Sequence, residues 1–193
     1  MAVATGSTPD LDKNFLNVAR QWPALFALCD DAAMFAARVD NISGWGVAQQ
    51  TYHCGLALAR IAGGVENLLA NPQQGAGLSP THPQAEALLA NGNLPRGIAK
   101  APEFLIPPAA PAADETRALL KSAKAKWEAV EKRGAEILSC PATFPHPLLG
   151  PFTAPMWVRF IALHTGHHLK IMRDILGASN LAVPYDTGID HLK

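Results

Sequence analysis

Residues 157–176 read WVRFIALHTGHHLKIMRDIL, an apolar run that contains two histidines one helical turn apart, His164 and His168. At 3.6 residues per turn their imidazoles point about 40° apart on one face, beside Trp157 and Phe160. Apolar surroundings penalise a charged imidazole, so two such side chains close together need a shared partner, and a divalent metal is the usual one. The stretch therefore predicts a buried helix that supplies two metal ligands.

A third candidate ligand, His53, lies in another apolar segment of helical character, residues 47–69. Together, His53, His164 and His168 fit a centre of three neutral imidazoles with open positions for water or substrate, which is typical of catalytic rather than structural zinc. The alternative is that all three are ordinary histidines, hydrogen-bonded or partly exposed. Spacing alone leaves both interpretations open, and it names no catalytic residue.

Five further side chains are candidates for the surroundings of this site. His167 points about 60° away from His164 and is expected behind the candidate ligands or at the surface. His146 lies in a proline-rich loop and reaches the site only if that loop folds inward. Gln49 and Gln50 either orient water or substrate or are surface amides, and Trp45 either closes the end of the fold or lines a pocket mouth.

The rest of the chain predicts helices and long connections. Helical spacing is found over residues 23–40, with Pro23 in the first turn, and again from Asp114, a candidate N-cap, through Ile137. Thr153 is the expected N-cap of the last helix. Four amphipathic helices without a convincing strand pattern predict an all-α four-helix bundle.

The connection over residues 71–112 holds half of the sixteen prolines, with a short helix expected at 83–90. It is long enough to make helices two and three parallel, which favours an up-down-down-up order. Residues 1–193 are expected to form one domain with a core at about 23–176, an insertion at 71–112 and a loosely packed extension at 177–193.

Composition excludes several classes of partner. Lys+Arg and Asp+Glu balance at 16 each, so there is no basic surplus for nucleic acid. No apolar run reaches the roughly eighteen residues of a membrane span, and residues 1–10 lack a signal-like pattern, so a cytoplasmic protein is expected. The three cysteines lack C-x-x-C spacing, which argues against disulfides and sulfur-ligated zinc, and Cys54 is expected to be a packed residue.

Residues 45–53 read WGVAQQTYH, and the H-x-x-x-H pair begins 111 residues after His53. In this order and separation, the motifs resemble those of the DinB/YfiT-like superfamily, whose members are regarded as metalloenzymes. Residues 144–153, FPHPLLGPFT, followed by H-x-x-H-H in the last helix, are similar to an uncharacterised subgroup of it. The resemblance covers roughly residues 23–176.

The resemblance implies an up-down-down-up bundle, often dimeric, in which His53, His164 and His168 hold zinc, nickel or a similar divalent ion. Some relatives are thiol-dependent transferases or isomerases that use mycothiol, bacillithiol or glutathione, with the metal lowering the pKa of the thiol. This chain departs from the pattern at Gly46, where many relatives have a serine cap, and in the long connection over residues 71–112.

Three hypotheses about function follow. The first is a metal-dependent enzyme that activates a thiol or water against a small electrophilic molecule. The second is a non-enzymatic metal-binding helical module that binds a partner through its proline-rich connection. The third, haem binding through the same histidines, is disfavoured because the chain has no cysteine attachment motif.

Overall fold

A computed structural model of the chain describes residues 10–76 and 83–185, which are mostly helical. The elements are α1 (Leu11–Asp30), α2 (Ala32–Ala36), α3 (Val47–Ala70), α4 (Pro83–Asn91), a 3₁₀ turn (Glu103–Leu105), α5 (Ala113–Glu131), α6 (Gly134–Ser139), β1 (Thr143–His146), β2 (Gly150–Thr153) and α7 (Ala154–Ala178). Within the described residues, no helix combines the length and the apolar character that a membrane crossing needs.

The first helix corrects the prediction for residues 23–40. It begins at Leu11, where the Asp10 side chain caps it by accepting a hydrogen bond from a backbone N–H, and Pro23 lies in its interior. An interior proline costs roughly 3 kcal/mol in a helix. Trp22 and Leu25 on either side of it are buried, and this burial offsets the cost.

The end of this region and the helix predicted from Asp114 also differ from the prediction. The first helical region breaks at Asp31, whose side chain accepts from the Met34 N–H and starts the short helix α2, so no helix continues to residue 40. Ala112, not Asp114, is the N-cap of α5, and Asp114 lies in the first turn, where its charge favours the helix dipole. The helix is interrupted after Glu131, so Ile137 belongs to α6.

Helices α3 and α7, which carry the three candidate ligands, agree with the sequence. The predicted helix at residues 47–69 is observed as Val47–Ala70, and α7 has the expected N-cap position, Thr153, although the threonine side chain makes no capping hydrogen bond. The short helix predicted at 83–90 is also confirmed, as α4. Uninterrupted apolar periodicity explains why these helices could be placed.

Each of the helices α1 and α3 packs against both α5 and α7, around one hydrophobic core. The approach of α3 to α5 is close at Gly55, where a Cβ atom would lie 2.9 Å from the Cγ of Leu119. The contact between α3 and α7 brings the two ligand-bearing helices together. The up-down-down-up order of the four long helices stays a prediction.

A small antiparallel hairpin, which the sequence did not predict, precedes α7. It pairs Phe144 with Phe152, and Gly150 begins the second strand with φ 82, a left-handed conformation that favours glycine. The hairpin places the ring of His146 in a stack on Phe152, with the ring centroids 5.3 Å apart. It thus forms an aromatic surface beside the start of α7.

The connection and the tail are both attached to α7. Arg96 of the connection pairs with Asp174 at 2.8 Å. After α7, the hydroxyl of Tyr185 donates to the carbonyl of Leu169 at 2.8 Å, and residues 181, 183 and 185 pack on the core. The extension thus contacts the core at these three residues, its expected loose packing stays a prediction, and the part after residue 185 lies outside the described residues.

Candidate metal centre

The imidazoles of His53 on α3 and of His164 and His168 on α7 meet at one point between the two helices. The Nε2 atom of His164 lies 3.2 Å from the Nε2 of His53 and 3.2 Å from the Nε2 of His168. One ligand atom from each of the three residues lies within 4.8 Å of the others. The structure thus brings together the three residues that the sequence selected.

All three histidines are held in the neutral form. His53 and His168 are 3% and 8% exposed, and His164 is half-buried. Burial lowers the pKa of His53, while burial and the proximity of the other imidazoles hold the pKa values of His164 and His168 well below the usual 6.5. A neutral imidazole is the form that binds a metal.

The outer nitrogens of two rings are tied to oxygen atoms. His53 Nδ1 lies 2.8 Å from the carbonyl oxygen of Leu105, and His168 Nδ1 lies 2.5 Å from Oε1 of Gln50. Both oxygens only accept, so each Nδ1 carries the proton and each Nε2 keeps its lone pair. Hydrogen bonds of this kind orient the ligating histidines of metal sites.

The arrangement fits a divalent ion better than it fits a hydrogen-bonded cluster. The Nε2 lone pairs of His53 and His168 both face Nε2 of His164. A hydrogen-bonded cluster would need one proton for each of them, but Nε2 of His164 carries at most one. Nitrogens at about 2.05 Å from a tetrahedral ion would be separated by roughly 3.3 Å. The two observed separations, each 3.2 Å, are close to this value.

Two aromatic rings border the cluster, one from the turn before α3 and one from α7. Trp45 lies with its ring centroid 5.0 Å from that of His53, and the Phe160 ring is 5.6 Å from that of His164. Trp45 thus lines the cluster. Its position depends on Gly46, where a Cβ atom would lie only 2.9 Å from the carbonyl oxygen of Ala37. This close approach explains why residue 46 is a glycine, whereas many members of the family that the sequence resembles have a serine there.

The two glutamines before His53 have different roles. Gln50 is 2% exposed and contacts His168, as described. Gln49 is partly exposed, and its Oε1 accepts from the Gly46 N–H at 3.4 Å and from Arg38 at 3.2 Å. Gln49 is therefore a helix-terminal amide, and Gln50 is the one that reaches the histidine cluster.

The remaining histidines and Cys54 do not join the cluster in the described part of the chain. His146 contacts the Phe160 ring, which in turn contacts His164. His167 is turned toward the backbone of Leu94 in the connection, behind the ligands. Cys54 is fully buried in the core, as expected. His82 and His191 lie outside the described residues.

One member of the site, the carbonyl of Leu105, could not be found from sequence. It belongs to the 3₁₀ turn in the connection, 52 residues from His53. Every residue has a carbonyl, so the only available signal was the length of the connection, which is unusual unless the segment has a function.

Comparison with known proteins gives one finding. A family model described as the DinB superfamily, whose members are metal-binding, matches residues 15–172. Comparisons with curated proteins and with solved structures gave no match. The match spans most of the chain and includes all three clustered histidines, so the chain belongs to the DinB superfamily.

Proposed function

We propose that the protein is a metal-dependent enzyme in which His53, His164 and His168 hold one divalent ion, zinc or nickel. The ion would serve to activate a thiol or water against a small electrophilic molecule, as in a thiol-dependent S-transferase or isomerase. The supporting observation is the convergence of three Nε2 atoms, two of them with the opposite nitrogen tied to a fixed oxygen.

The chemistry of the donors favours an anionic co-ligand. When bound, a divalent ion supplies Lewis acidity, which lowers the pKa of a thiol or of water. Three neutral imidazoles contribute no negative charge, so a bound group that becomes an anion is the best complement to this site. Mycothiol, bacillithiol and glutathione each offer such a thiol.

The neighbouring rings define what else binds. Trp45 beside His53 and Phe160 beside His164 place apolar rings next to the cluster, which suit an apolar group on a substrate. Of the three clustered histidines, His164 is the least buried. We infer a small-molecule substrate with an apolar group near its electrophilic atom.

The proposal keeps three expectations that accompany the resemblance. The four long helices follow an up-down-down-up order, the protein forms a homodimer, and it acts in the cytoplasm on small molecules rather than on nucleic acid or membranes. The hydrogen bonds of Asn14 with Arg159 and of Gln21 with the Ala162 carbonyl, which follow the same order along α1 and α7, support the first of these.

Metal analysis of the full-length protein tests the proposal. We expect about one Co²⁺ per chain after reconstitution, with a visible spectrum that changes when glutathione is added. The variant His164→Ala should lose the ion while keeping its helical content, because apolar packing supplies most of the burial. His167→Ala, which changes a neighbouring histidine outside the cluster, should retain the ion. Retention of cobalt by His164→Ala would contradict the ligand assignment.

A second candidate is a non-enzymatic metal-binding module that acts through its connection. It is favoured by three exposed large apolar side chains there, Ile98, Phe104 and Ile106, at 76%, 61% and 53% exposure. In that case the cobalt spectrum would not respond to thiols or other small ligands, and substitutions at Phe104 or Ile106 would leave metal content unchanged.

A further inference from the structure

Gln50 is a buried amide whose two ends have different partners. Its Oε1 lies 2.5 Å from Nδ1 of His168, and its Nε2 lies 2.9 Å from the Ser43 hydroxyl oxygen and 3.4 Å from the carbonyl oxygen of Trp45. The side chain is 2% exposed, so water does not compete for these groups. The amide thus links the turn before α3 to a histidine on α7.

These contacts permit one orientation of the amide. The carbonyl of Trp45 only accepts hydrogen bonds, so the group facing it must be the NH₂ of Gln50. The Ser43 hydroxyl already accepts from the Trp45 N–H at 3.1 Å and has a second lone pair for the same NH₂. The amide oxygen is therefore left facing His168, and Nδ1 of His168 must be the nitrogen that carries the proton.

We propose that Gln50 is a positioning residue that fixes the tautomer and the ring direction of His168. This inference rests on the proposed metal site, because the tautomer with the proton on Nδ1 is the one that leaves Nε2 free to bind an ion. Without the amide oxygen, either ring nitrogen of His168 can carry the proton, and ring rotation is no longer restrained. Loss of such a partner typically weakens metal binding by about 10- to 100-fold.

The three clustered histidines differ in what contacts the outer nitrogen of each ring. His168 is supported by a side chain, His53 by the backbone of Leu105, and Nδ1 of His164 is buried without a hydrogen-bond partner in the described residues. Gln50 is therefore the support that a single substitution can remove. A conservative replacement that keeps an acceptor oxygen can also restore it.

The variants Gln50→Leu and Gln50→Glu, with Gln49→Leu as the matched control, test the inference in the full-length protein. Co²⁺ affinity, measured by competition with a chelator, should fall about 10- to 100-fold in Gln50→Leu. It should be higher in Gln50→Glu than in Gln50→Leu, because the carboxylate accepts from the same Nδ1–H, although its second oxygen replaces the NH₂ that faces the Trp45 carbonyl in wild type. Gln49→Leu should bind Co²⁺ like wild type, since Gln49 contacts Gly46, Arg38 and the carbonyl of Pro108 and does not contact the cluster.

A spectroscopic readout separates positioning from a merely structural role. Long-range ¹H–¹⁵N spectra of the metal-free protein should show His168 with its proton on Nδ1 in wild type and Gln50→Glu, and a mixture of tautomers in Gln50→Leu. If Gln50→Leu does not fold, Ser43→Ala, which removes one restraint on the amide, should lower Co²⁺ affinity a few-fold and broaden the same signal.

The outcomes distinguish this inference from the proposed function. Wild-type affinity for Co²⁺ in Gln50→Leu, or a proton on Nε2 of His168 in wild type, overturns the role of Gln50 while the metal site stands. Failure of the wild-type protein to bind Co²⁺ overturns the proposed function, and with it the role of Gln50 in metal binding. The tautomer spectra would then report only the hydrogen bond.

Discussion

Replacing His146 with phenylalanine should reduce the dependence of stability on pH. The ring of His146 lies half-buried against Phe152 and Phe160, and burial lowers its pKa from 6.5 to about 4. In the unfolded chain the pKa returns to about 6.5. As the pH falls, the unfolded state therefore takes up this proton first, and the stability conferred by the neutral ring, complete above pH 6.5, is lost between pH 6.5 and 4.

The size of the effect follows from the two pKa values. Between pH 7.5 and pH 5.0, a shift from 6.5 to about 4 removes about 2 kcal/mol from the free energy of unfolding. The ring is partly exposed, so solvent screening reduces this to about 1.5 kcal/mol. Phenylalanine keeps the aromatic contacts but cannot take up a proton. The variant also loses the acceptor for the Leu148 N–H, a cost that does not depend on pH and cancels in the comparison.

Urea unfolding of the wild type and of His146→Phe, each at pH 7.5 and 5.0 with a chelator present, measures the difference. The chelator removes any contribution from metal at the histidine cluster. We expect the wild type to lose about 1.5 kcal/mol more than the variant on acidification. Equal losses in the two proteins would show that His146 is not held neutral by its surroundings.

Three further predictions concern the metal and the core. Zn²⁺ at about 100 times its dissociation constant should raise the free energy of unfolding of the wild type by about 2.7 kcal/mol, which a thermal shift assay detects as a higher melting temperature. In His164→Ala, Zn²⁺ should leave the melting temperature unchanged. Gly46→Ser should destabilise the protein by about 1 to 2 kcal/mol in urea unfolding despite the added cap, because its Cβ would crowd the Ala37 carbonyl; increased stability would contradict this. Trp127→Ala should lower the free energy of unfolding in urea by about 4 kcal/mol, because Trp127 is fully buried, packs on Phe15 and donates a hydrogen bond to Glu131. A decrease below about 1 kcal/mol would be inconsistent with that packing.

The sequence predicted α3 and α7 well because their inward faces are apolar and their ends are marked by Asn71-Pro72 and Thr153. It failed on α1 because that helix buries polar side chains as well. Asn14 and Gln21 are both 2% exposed, and each is hydrogen-bonded to a group on α7. Because these buried residues are polar, the inward face of α1 does not show a continuous apolar periodicity in the sequence. Tertiary hydrogen bonds of this kind are not visible in one sequence.

The hairpin was missed for a different reason. Each strand has only four residues, and prolines at 145 and 151 lie opposite each other in the ladder. Proline normally argues against a strand because it lacks an N–H to donate. A two-stranded hairpin has free edges that tolerate it, so the aromatic pair Phe144 and Phe152 was the better indicator.

The three clustered histidines were predicted from the sequence, but the groups that hold their rings in place were not. His164 and His168 have helical spacing and His53 lies in a second apolar helix, and three histidines in this pattern indicate metal chemistry. Gln50 was left undecided between two roles because the contact with His168 joins residues 118 positions apart. The pairing of α3 with α7 determines such contacts.

The Leu105 carbonyl makes the segment between α3 and α5 a determinant of how the His53 ring is held. Insertions or deletions there would shift the oxygen that orients His53, even where every helix stayed the same. Exchanging this segment between relatives with identical ligand residues is thus expected to alter which ion is preferred and how fast it exchanges. Evolution could in this way tune the centre by loop length, without touching a ligand.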